Sequence, residues 1–350
     1  MKPVLSLSAL YPGSFFLDPF DTQALCQFLQ TRGWLQPEES VQAAERAGGS
    51  NMNCVLRVRT DKRSFILKQS RPWVEKYPQI PAPWNRACIE ARFYEEARKD
   101  SALAPHLPKL LGFDAAERLL MFEDLGPTPD LRNFYQAPQN WMGETDWQTP
   151  LHFLLDLHTR FRDPALSAVF SNGAMRRLNH EHIFWLPLRQ DNGLNLDAIT
   201  PGLARLAEQL QTNADYVGTV GELGKRYLGD TAQEGSLLHG DYFPGSWVKA
   251  GGKFYVIDPE FSFYGPPEWD VGVMAAHLLL AGHPAESISR VPEWYSAAGP
   301  WDERLMRQFA GTEIMRRLIG VAQLPLPYGL DRKRELLQRS LDLVLGRSVA

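Results

Sequence analysis

The sequence is poor in the features that mark several common protein classes. Its 350 residues include only three cysteines, Cys26, Cys54 and Cys88, whose spacing fits neither a disulfide framework nor a zinc site. No apolar run reaches the ~20 residues that a membrane helix needs, because the most apolar stretch, 271–281, is short and contains His277. We therefore predict a cytoplasmic protein without a signal peptide and without a membrane partner.

Strongly basic segments are also lacking. The chain has 37 Lys and Arg residues against 41 Asp and Glu, a net charge of −4. Nucleic-acid binders usually carry a basic domain or stripe, so nucleic acid is not an expected partner. With 27 glycines, 26 prolines and 44% hydrophobic residues, the composition is that of a globular protein. The length predicts about two domains.

Helical and extended patterns divide the chain into two halves. Asp21 and the apolar residues after it predict a helix that ends at Gly33. The strand 119–122 runs into a linker-like segment, where we place a boundary between residues 1–124 and 125–350. The second half is predicted to be mainly helical. The other predicted elements of the first half are a turn at 48–51, strands at 54–60 and 64–68, a proline-rich loop at 72–83 and a helix at 86–99.

A hairpin is predicted near the middle of the second half. The glycine pair at 251–252 lies between two apolar runs, a pattern typical of a tight hairpin turn. Folding at this turn pairs Ala250 with Lys253 and, by counting, Ser246 with Ile257. The loops at the two open ends of the hairpin are thereby brought to one rim.

Those two loops carry residues suited to phosphoryl transfer. Asp241 and Ser246 precede the hairpin, and Asp258 and Glu260 follow it. In phosphoryl transfer one Asp orients and deprotonates the acceptor hydroxyl, while other hard oxygen ligands hold Mg²⁺. We predict Asp241 as the catalytic base and Asp258 and Glu260 as Mg²⁺ ligands, with Ser246 nearby. Either motif alone fits an ordinary turn equally well, but together they favour a kinase.

The first half supplies a complementary lysine. Lys68 ends the second predicted strand and resembles the strand lysine that contacts the α- and β-phosphates of ATP in kinases. Glu90, on the following helix, is the candidate ion-pair partner, with Glu95 and Glu96 as alternatives.

Two backbone segments are candidates for contact with the rest of the nucleotide. Gly49, Ser50 and Asn51 form a turn where a nucleotide-covering loop is expected, although an ordinary hairpin turn is the alternative. Glu123 and Leu125 lie at the boundary between the halves, where the adenine ring would bond to the backbone.

At these motifs the chain resembles the aminoglycoside phosphotransferase and choline kinase superfamily, and most closely the 5-methylthioribose kinases. The resemblance is carried by His-Gly-Asp and Gly-Ser within 239–246 and by Asp-Pro-Glu-Phe and Phe-Tyr-Gly-Pro within 258–266. Further matches lie at 50–53, 67–69, 86–90, 123–125 and 311–317.

The resemblance implies an α+β, protein-kinase-like fold of two lobes. Residues 1–124 would form a small, antiparallel β-rich N-lobe that binds ATP, and residues 125–350 a larger, mainly helical C-lobe for catalysis and the acceptor. It also implies Mg²⁺ as cofactor and a possible homodimer. Asp270 is expected to stabilise the catalytic loop, as the matching Asp does in the family.

The acceptor is indicated by one match and one departure. Arg316 and Arg317 match an arginine pair that holds the sugar in methylthioribose kinases, although surface arginines bonded to carboxylates are the alternative. Tyr242-Phe243-Pro244 stands where the family has Leu-His-Thr, so Tyr242 is expected on the acceptor side. We predict phosphorylation of a methylthioribose-like sugar. The alternatives are an antibiotic, a choline-like alcohol or another sugar as acceptor, and a nucleotide-binding pseudokinase.

Overall fold

A computed structural model describes residues 11–49, 52–127, 132–136, 147–229, 235–284 and 301–347, and positions 290, 291, 293 and 295. The chain forms two compact units, Met1–Pro127 and Thr128–Ala350. The first is an antiparallel sheet with helices and the second is mainly helical, so the predicted α+β class is confirmed.

The first unit begins with the helix that the sequence predicts. Helix α1 spans Thr22–Thr31, and the carboxylate of Asp21 accepts a hydrogen bond from the Ala24 N–H at its N-terminus. Helix α1 ends before Gly33, whose φ of +67° favours glycine. Its buried residues, Leu25 and Leu29, pack into the apolar core of the sheet.

A five-stranded antiparallel sheet forms the body of this unit, in the order β1-β2-β3-β7-β6. Strand β3 is central, and alternate residues such as Phe65 and Leu67 are buried in the core. The strands are β1 Val41–Arg46, β2 Asn53–Thr60, β3 Ser64–Ser70, β6 Leu110–Asp114 and β7 Leu119–Glu123.

Strands β1 and β6 of this unit were not predicted. A small hairpin, β4 Trp73–Val74 with β5 Tyr77–Pro81, lies in the segment predicted as a loop. The loop prediction was wrong because prolines are tolerated at strand edges. Helix α2, Arg86–Ala97, lies close to its predicted bounds.

Helices make up most of the second unit. They are α3 Arg132–Gln136, α4 Gln148–Arg160, α5 Leu166–Val169, α6 Gly173–His180, α7 Leu203–Gln211, α8 Ala214–Leu228, α9 Glu268–Leu280, α10 Glu303–Ile319 and α11 Leu330–Leu345. Every residue of α9 is buried, and α9 packs against α10. Among the described residues, none of these helices is long and apolar enough to cross a membrane.

Four short strands complete this unit. Strands β8 (Ser236–Leu238) and β11 (Phe263–Gly265) pair with each other, and β9 (Trp247–Ala250) pairs with β10 (Lys253–Val256). The hairpin has the predicted register, with Ala250 opposite Lys253, and the Ile257 N–H donates to the Ser246 carbonyl at 2.9 Å. The two strand pairs meet where His239, which follows β8, lies with its Nε2 2.9 Å from the carbonyl oxygen of Ile257, which follows β10.

Candidate functional site

In the first unit, a buried ion pair joins the central strand to helix α2. The Lys68 ammonium lies 2.6 Å from the Glu90 carboxylate, and both side chains are buried. Lys68 occupies a register position between Val55 of β2 and Leu120 of β7, so the sheet fixes its backbone on both sides. The structure thus contains the ion pair predicted from the sequence, and a contact of these residues with ATP stays a prediction.

The other predicted nucleotide residues lie on turns and a strand end. Gly49 is exposed in the turn between β1 and β2, whereas Ser50 and Asn51 lie outside the described residues. Glu123 ends β7, and its carboxylate accepts a hydrogen bond from the Lys109 N–H at 2.8 Å. Leu125 follows it and is half-buried.

In the second unit, the loop after β8 is held by a buried carboxylate. Asp270, on α9, accepts hydrogen bonds from the backbone N–H groups of His239 at 2.6 Å and Gly240 at 2.9 Å. The Trp269 indole N–H donates to the Gly240 carbonyl. The expectation that Asp270 stabilises this loop is confirmed.

Gly240 is required at its position. Its φ is +90°, and a Cβ there would lie 2.2 Å from the carbonyl oxygen of Phe261. The loop after β8 thus passes directly against the turn that carries Asp258 and Glu260.

Asp258 and Glu260 form a carboxylate pair on that turn. Asp258 has a left-handed backbone, with φ +67°, and a short 3₁₀ turn, Pro259–Phe261, follows it. One carboxylate oxygen of Asp258 lies within 4.8 Å of one carboxylate oxygen of Glu260, and Glu260 is almost fully buried. A non-glycine residue with positive φ is strained, and such strain clusters at functional sites. Closely spaced carboxylate oxygens fit a hard divalent cation such as Mg²⁺.

Two polar side chains brace these loops. The Asn172 amide donates to the carbonyl oxygens of Glu260 and Ser262 at 3.1 and 3.0 Å. The Ser246 hydroxyl donates to the Asp241 carbonyl at 2.9 Å, which closes the loop between β8 and β9. Ser246 therefore lies beside Asp241, as the hairpin register predicts.

The side chain of Asp241 is held by the predicted arginine pair. Its Oδ1 accepts hydrogen bonds from Arg316 Nη2 at 2.7 Å and from Arg317 Nη2 at 3.2 Å. Both guanidinium groups also bond to Glu313, one turn earlier on α10. The two arginines therefore bridge two carboxylates, and all four charged groups are largely buried.

Tyr242 does not join this cluster. Its side chain is 0% exposed, and its hydroxyl donates to the Pro150 carbonyl at 2.9 Å. The next residue, Phe243, does contact the cluster, because the Arg317 guanidinium lies 4.4 Å from the centre of its ring.

Sequence reasoning missed Asn172, Glu313 and His277. The contacts of Asn172 are to residues 88 and 90 positions away, so no local pattern indicates them. Glu313 lies within the matched segment 311–317, and its spacing to Arg316 and Arg317 would place all three on one helix face. That spacing could have indicated Glu313 as a partner of the two arginines.

Comparisons with known proteins indicate a small-molecule kinase. Residues 173–309 match the model of a phosphotransferase enzyme family. The chain is 25% identical to a methylthioribose kinase of Exiguobacterium sibiricum over 94% of both proteins. It is 28% identical to a methylthioribose kinase of Yersinia pseudotuberculosis, over 73% of this chain and 63% of that protein.

A solved structure shows the same fold. The crystal structure of a spectinomycin phosphotransferase, APH(9)-Ia, in complex with ADP and spectinomycin, superposes with a TM-score of 0.51 and 12% identity, over 93% of this chain and 98% of that one. These matches confirm the predicted protein-kinase-like fold and the predicted resemblance to phosphotransferases and methylthioribose kinases.

Proposed function

We propose that this chain, a small-molecule kinase that resembles the phosphotransferase enzyme family, transfers the γ-phosphate of ATP to a hydroxyl of a methylthioribose-like sugar. The observation that carries the proposal is the position of Asp241. Its carboxylate is clamped by Arg316 and Arg317, on a loop packed directly against the turn that carries the Asp258 and Glu260 pair.

Asp241 is assigned as the general base. Both arginines bond to its Oδ1, so neither uses Oδ2. Oδ2 is the oxygen that would accept the proton of the acceptor hydroxyl when that hydroxyl attacks phosphorus. A general base must lie roughly 2.6–3.2 Å from the proton donor, and a carboxylate with one oxygen fixed meets that requirement with little rearrangement.

Asp258 and Glu260 are assigned as the residues that hold Mg²⁺. Their oxygen atoms are close enough to share one cation, and hard oxygen ligands are those that Mg²⁺ prefers. When bound, the ion neutralises the charge on the ATP phosphates. Ser246 supports the same loop through the Asp241 carbonyl, and a further contact of its hydroxyl oxygen to the metal stays a prediction.

The first unit is assigned to nucleotide binding. Lys68, aimed by Glu90, would contact the phosphates, and the turn around Gly49 would cover them. The backbone at Glu123 and Leu125 would contact the adenine ring. In this assignment the nucleotide-binding residues come from 1–124, and the catalytic and acceptor-binding residues from 125–350.

The acceptor is assigned from the arginine pair and from the relatives. Two methylthioribose kinases match most of this chain, and a sugar offers several hydroxyl groups to guanidinium donors. A polycationic acceptor is also disfavoured, because the Asp241 and Glu313 carboxylates are already paired with the two arginines. Tyr242 is buried against Pro150, so its predicted contact with the acceptor would require a different position of its ring.

A screen of ATP consumption tests this function. Purified protein with Mg-ATP is offered methylthioribose, ribose, choline and an aminoglycoside, and ADP release is measured for each. We expect turnover with methylthioribose at least tenfold above the other three compounds. A preference for the aminoglycoside or for choline would overturn the acceptor assignment. ATP binding without turnover of any acceptor would support a pseudokinase instead.

A further inference from the structure

Behind the arginine pair lies a buried chain of three side chains that the proposed function does not use. Glu313 Oε1 lies 3.0 Å from His277 Nε2, and His277 Nδ1 lies 2.6 Å from the Tyr135 hydroxyl. All three side chains are fully or almost fully buried. Glu313, His277 and Tyr135 lie on α10, α9 and α3, so this series of hydrogen bonds links three helices.

The protonation states along this chain follow from burial and charge. Burial lowers the pKa of His277 to about 4, although the hydrogen bond to Glu313 acts in the opposite direction. Burial raises the pKa of Glu313, but the charges of Arg316 and Arg317 outweigh it and hold that pKa well below its usual range. Glu313 is therefore an anion that needs donors, and neutral His277 supplies one from Nε2. Nδ1 is then the acceptor of the Tyr135 hydroxyl proton.

Glu313 in turn determines where both guanidinium groups point. Its two oxygens accept hydrogen bonds from Arg316 Nε and Nη2, and its Oε1 accepts one from Arg317 Nε at 2.7 Å. Glu313 thus holds the Nε of each arginine, while the Nη2 of each arginine donates to Asp241. A guanidinium is planar, so holding Nε in place also fixes the direction in which Nη2 points.

The charges of the cluster also cancel. Arg316 and Arg317 contribute two positive charges, Glu313 and Asp241 two negative ones, and His277 is neutral. A buried site whose charges cancel has no spare charge for an ionic acceptor, which would lose hydration on entry without a partner.

We propose that Glu313, held by His277 and Tyr135, is the positioning residue that aims both arginines at Asp241 and balances their charge, so that the site takes an uncharged hydroxyl compound. This inference rests on the proposed function for the identity of the acceptor. The placement of the arginines by Glu313 is independent of it.

The test is Glu313→Gln, which keeps the shape of the side chain and removes its charge. We expect kcat/KM for methylthioribose to fall at least 20-fold, with the KM for ATP within twofold of the original protein. Because the arginines then carry uncompensated charge, inhibition by ribose 5-phosphate should tighten at least fivefold. A Gln variant with unchanged acceptor kinetics and unchanged inhibition would overturn the proposal.

Ser340→Ala is the matched control. The Ser340 hydroxyl on α11 is buried and donates at 2.6 Å to the Gly311 carbonyl on α10, the helix that carries Glu313, whereas its recorded hydrogen bonds do not include Arg316 or Arg317. It should lower the melting temperature without changing the acceptor kinetics or the inhibition. A control that reproduced both kinetic effects would show that general loosening of α10 explains them, and would overturn the proposal.

Two further measurements keep the test decisive. If Glu313→Gln does not fold, Tyr135→Phe removes only the far hydroxyl, and we expect a three- to fivefold loss of acceptor kcat/KM with unchanged ATP kinetics; no loss would contradict the proposal. If no acceptor is turned over, the proposed function fails by itself. A crystal structure of Glu313→Gln, or of Tyr135→Phe, then decides the positioning role, because arginines that stay on Asp241 would refute it.

Discussion

Each unit of the molecule holds one charged side chain of the proposed site in place. The first unit holds Lys68 and the second holds Asp241, and the cations involved differ. In the first unit, the Lys68 ammonium, which ends a flexible four-carbon side chain, lies 2.6 Å from the Glu90 carboxylate. In the second, Asp241 is held by two guanidinium groups, which are themselves held by Glu313. The second arrangement is therefore a network of two arginines and two carboxylates, in which Glu313 holds the arginines on the side away from Asp241.

The difference follows from the geometry of the two cations. An ammonium is a compact point charge that can move with its side chain, which suits a group that follows phosphates as they bind. A guanidinium presents donors in a fixed plane, so two of them can set the position of one carboxylate oxygen. The structure therefore uses the adaptable cation for the assigned nucleotide contact and the rigid one for the assigned base.

We expect the largest loss of activity from a change of Asp241, the carboxylate that the two arginines hold. Asp241→Asn keeps the size of the side chain and removes its ability to accept a proton, so we expect kcat to fall about 10³-fold, within the usual contribution of a general base. The measurement is ADP release at saturating ATP and acceptor. Asp156→Asn, at an exposed residue that pairs with Arg160, is the control and should retain full activity. An Asp241→Asn enzyme within tenfold of the original would remove Asp241 from the mechanism.

Replacing Lys68 in the first unit should reduce activity less than replacing Asp241. Lys68→Met should lower kcat/KM for ATP about 100-fold, because the phosphates lose a cation. It should also destabilise the fold by about 3–5 kcal/mol, since it leaves Glu90 buried without this partner. In the double variant Lys68→Met with Glu90→Gln, stability should largely return while activity does not.

Thermal melts and ATP kinetics of both single variants and the double variant check this pattern. If Glu90→Gln lowered activity further in the Lys68→Met background, Glu90 would act by more than aiming the lysine. The exposed pair of Lys99 and Glu96 provides the control, because Lys99→Met should change neither quantity.

The sequence predicted the parts of the site that depend on local spacing. The glycine pair at 251–252 set the hairpin register, and the register placed Ser246 opposite Ile257. The Lys68 and Glu90 pair was predicted from the resemblance of Lys68 to the strand lysine of kinases, with Glu95 and Glu96 as alternative partners. Only the hairpin register follows from a few adjacent residues.

The remaining parts depend on packing between distant segments. His277 and Glu313 are 36 positions apart, and Tyr135 and His277 are 142 apart, so no local pattern links them. The position of Tyr242 is a similar case. Its neighbours in sequence suggested the acceptor side, whereas the ring is packed parallel to Phe153 of α4 with their centres 5.9 Å apart. Only the tertiary arrangement decides whether such a side chain points to the core.

We expect the smallest effect from a change of Tyr242. This change tests whether Tyr242 contacts the acceptor in addition to the cluster of Asp241, Arg316 and Arg317. Tyr242→Phe removes one buried hydroxyl, whose bond to the Pro150 carbonyl contributes about 1 kcal/mol to stability. If the hydroxyl serves only the fold, the melting temperature should fall slightly while kcat and the acceptor KM stay within twofold. Tyr264→Phe, which removes a hydroxyl bonded to the Arg162 and Gly235 carbonyls, is the matched control. An acceptor KM raised fivefold or more by Tyr242→Phe, but not by the control, would instead support the predicted contact of Tyr242 with the acceptor.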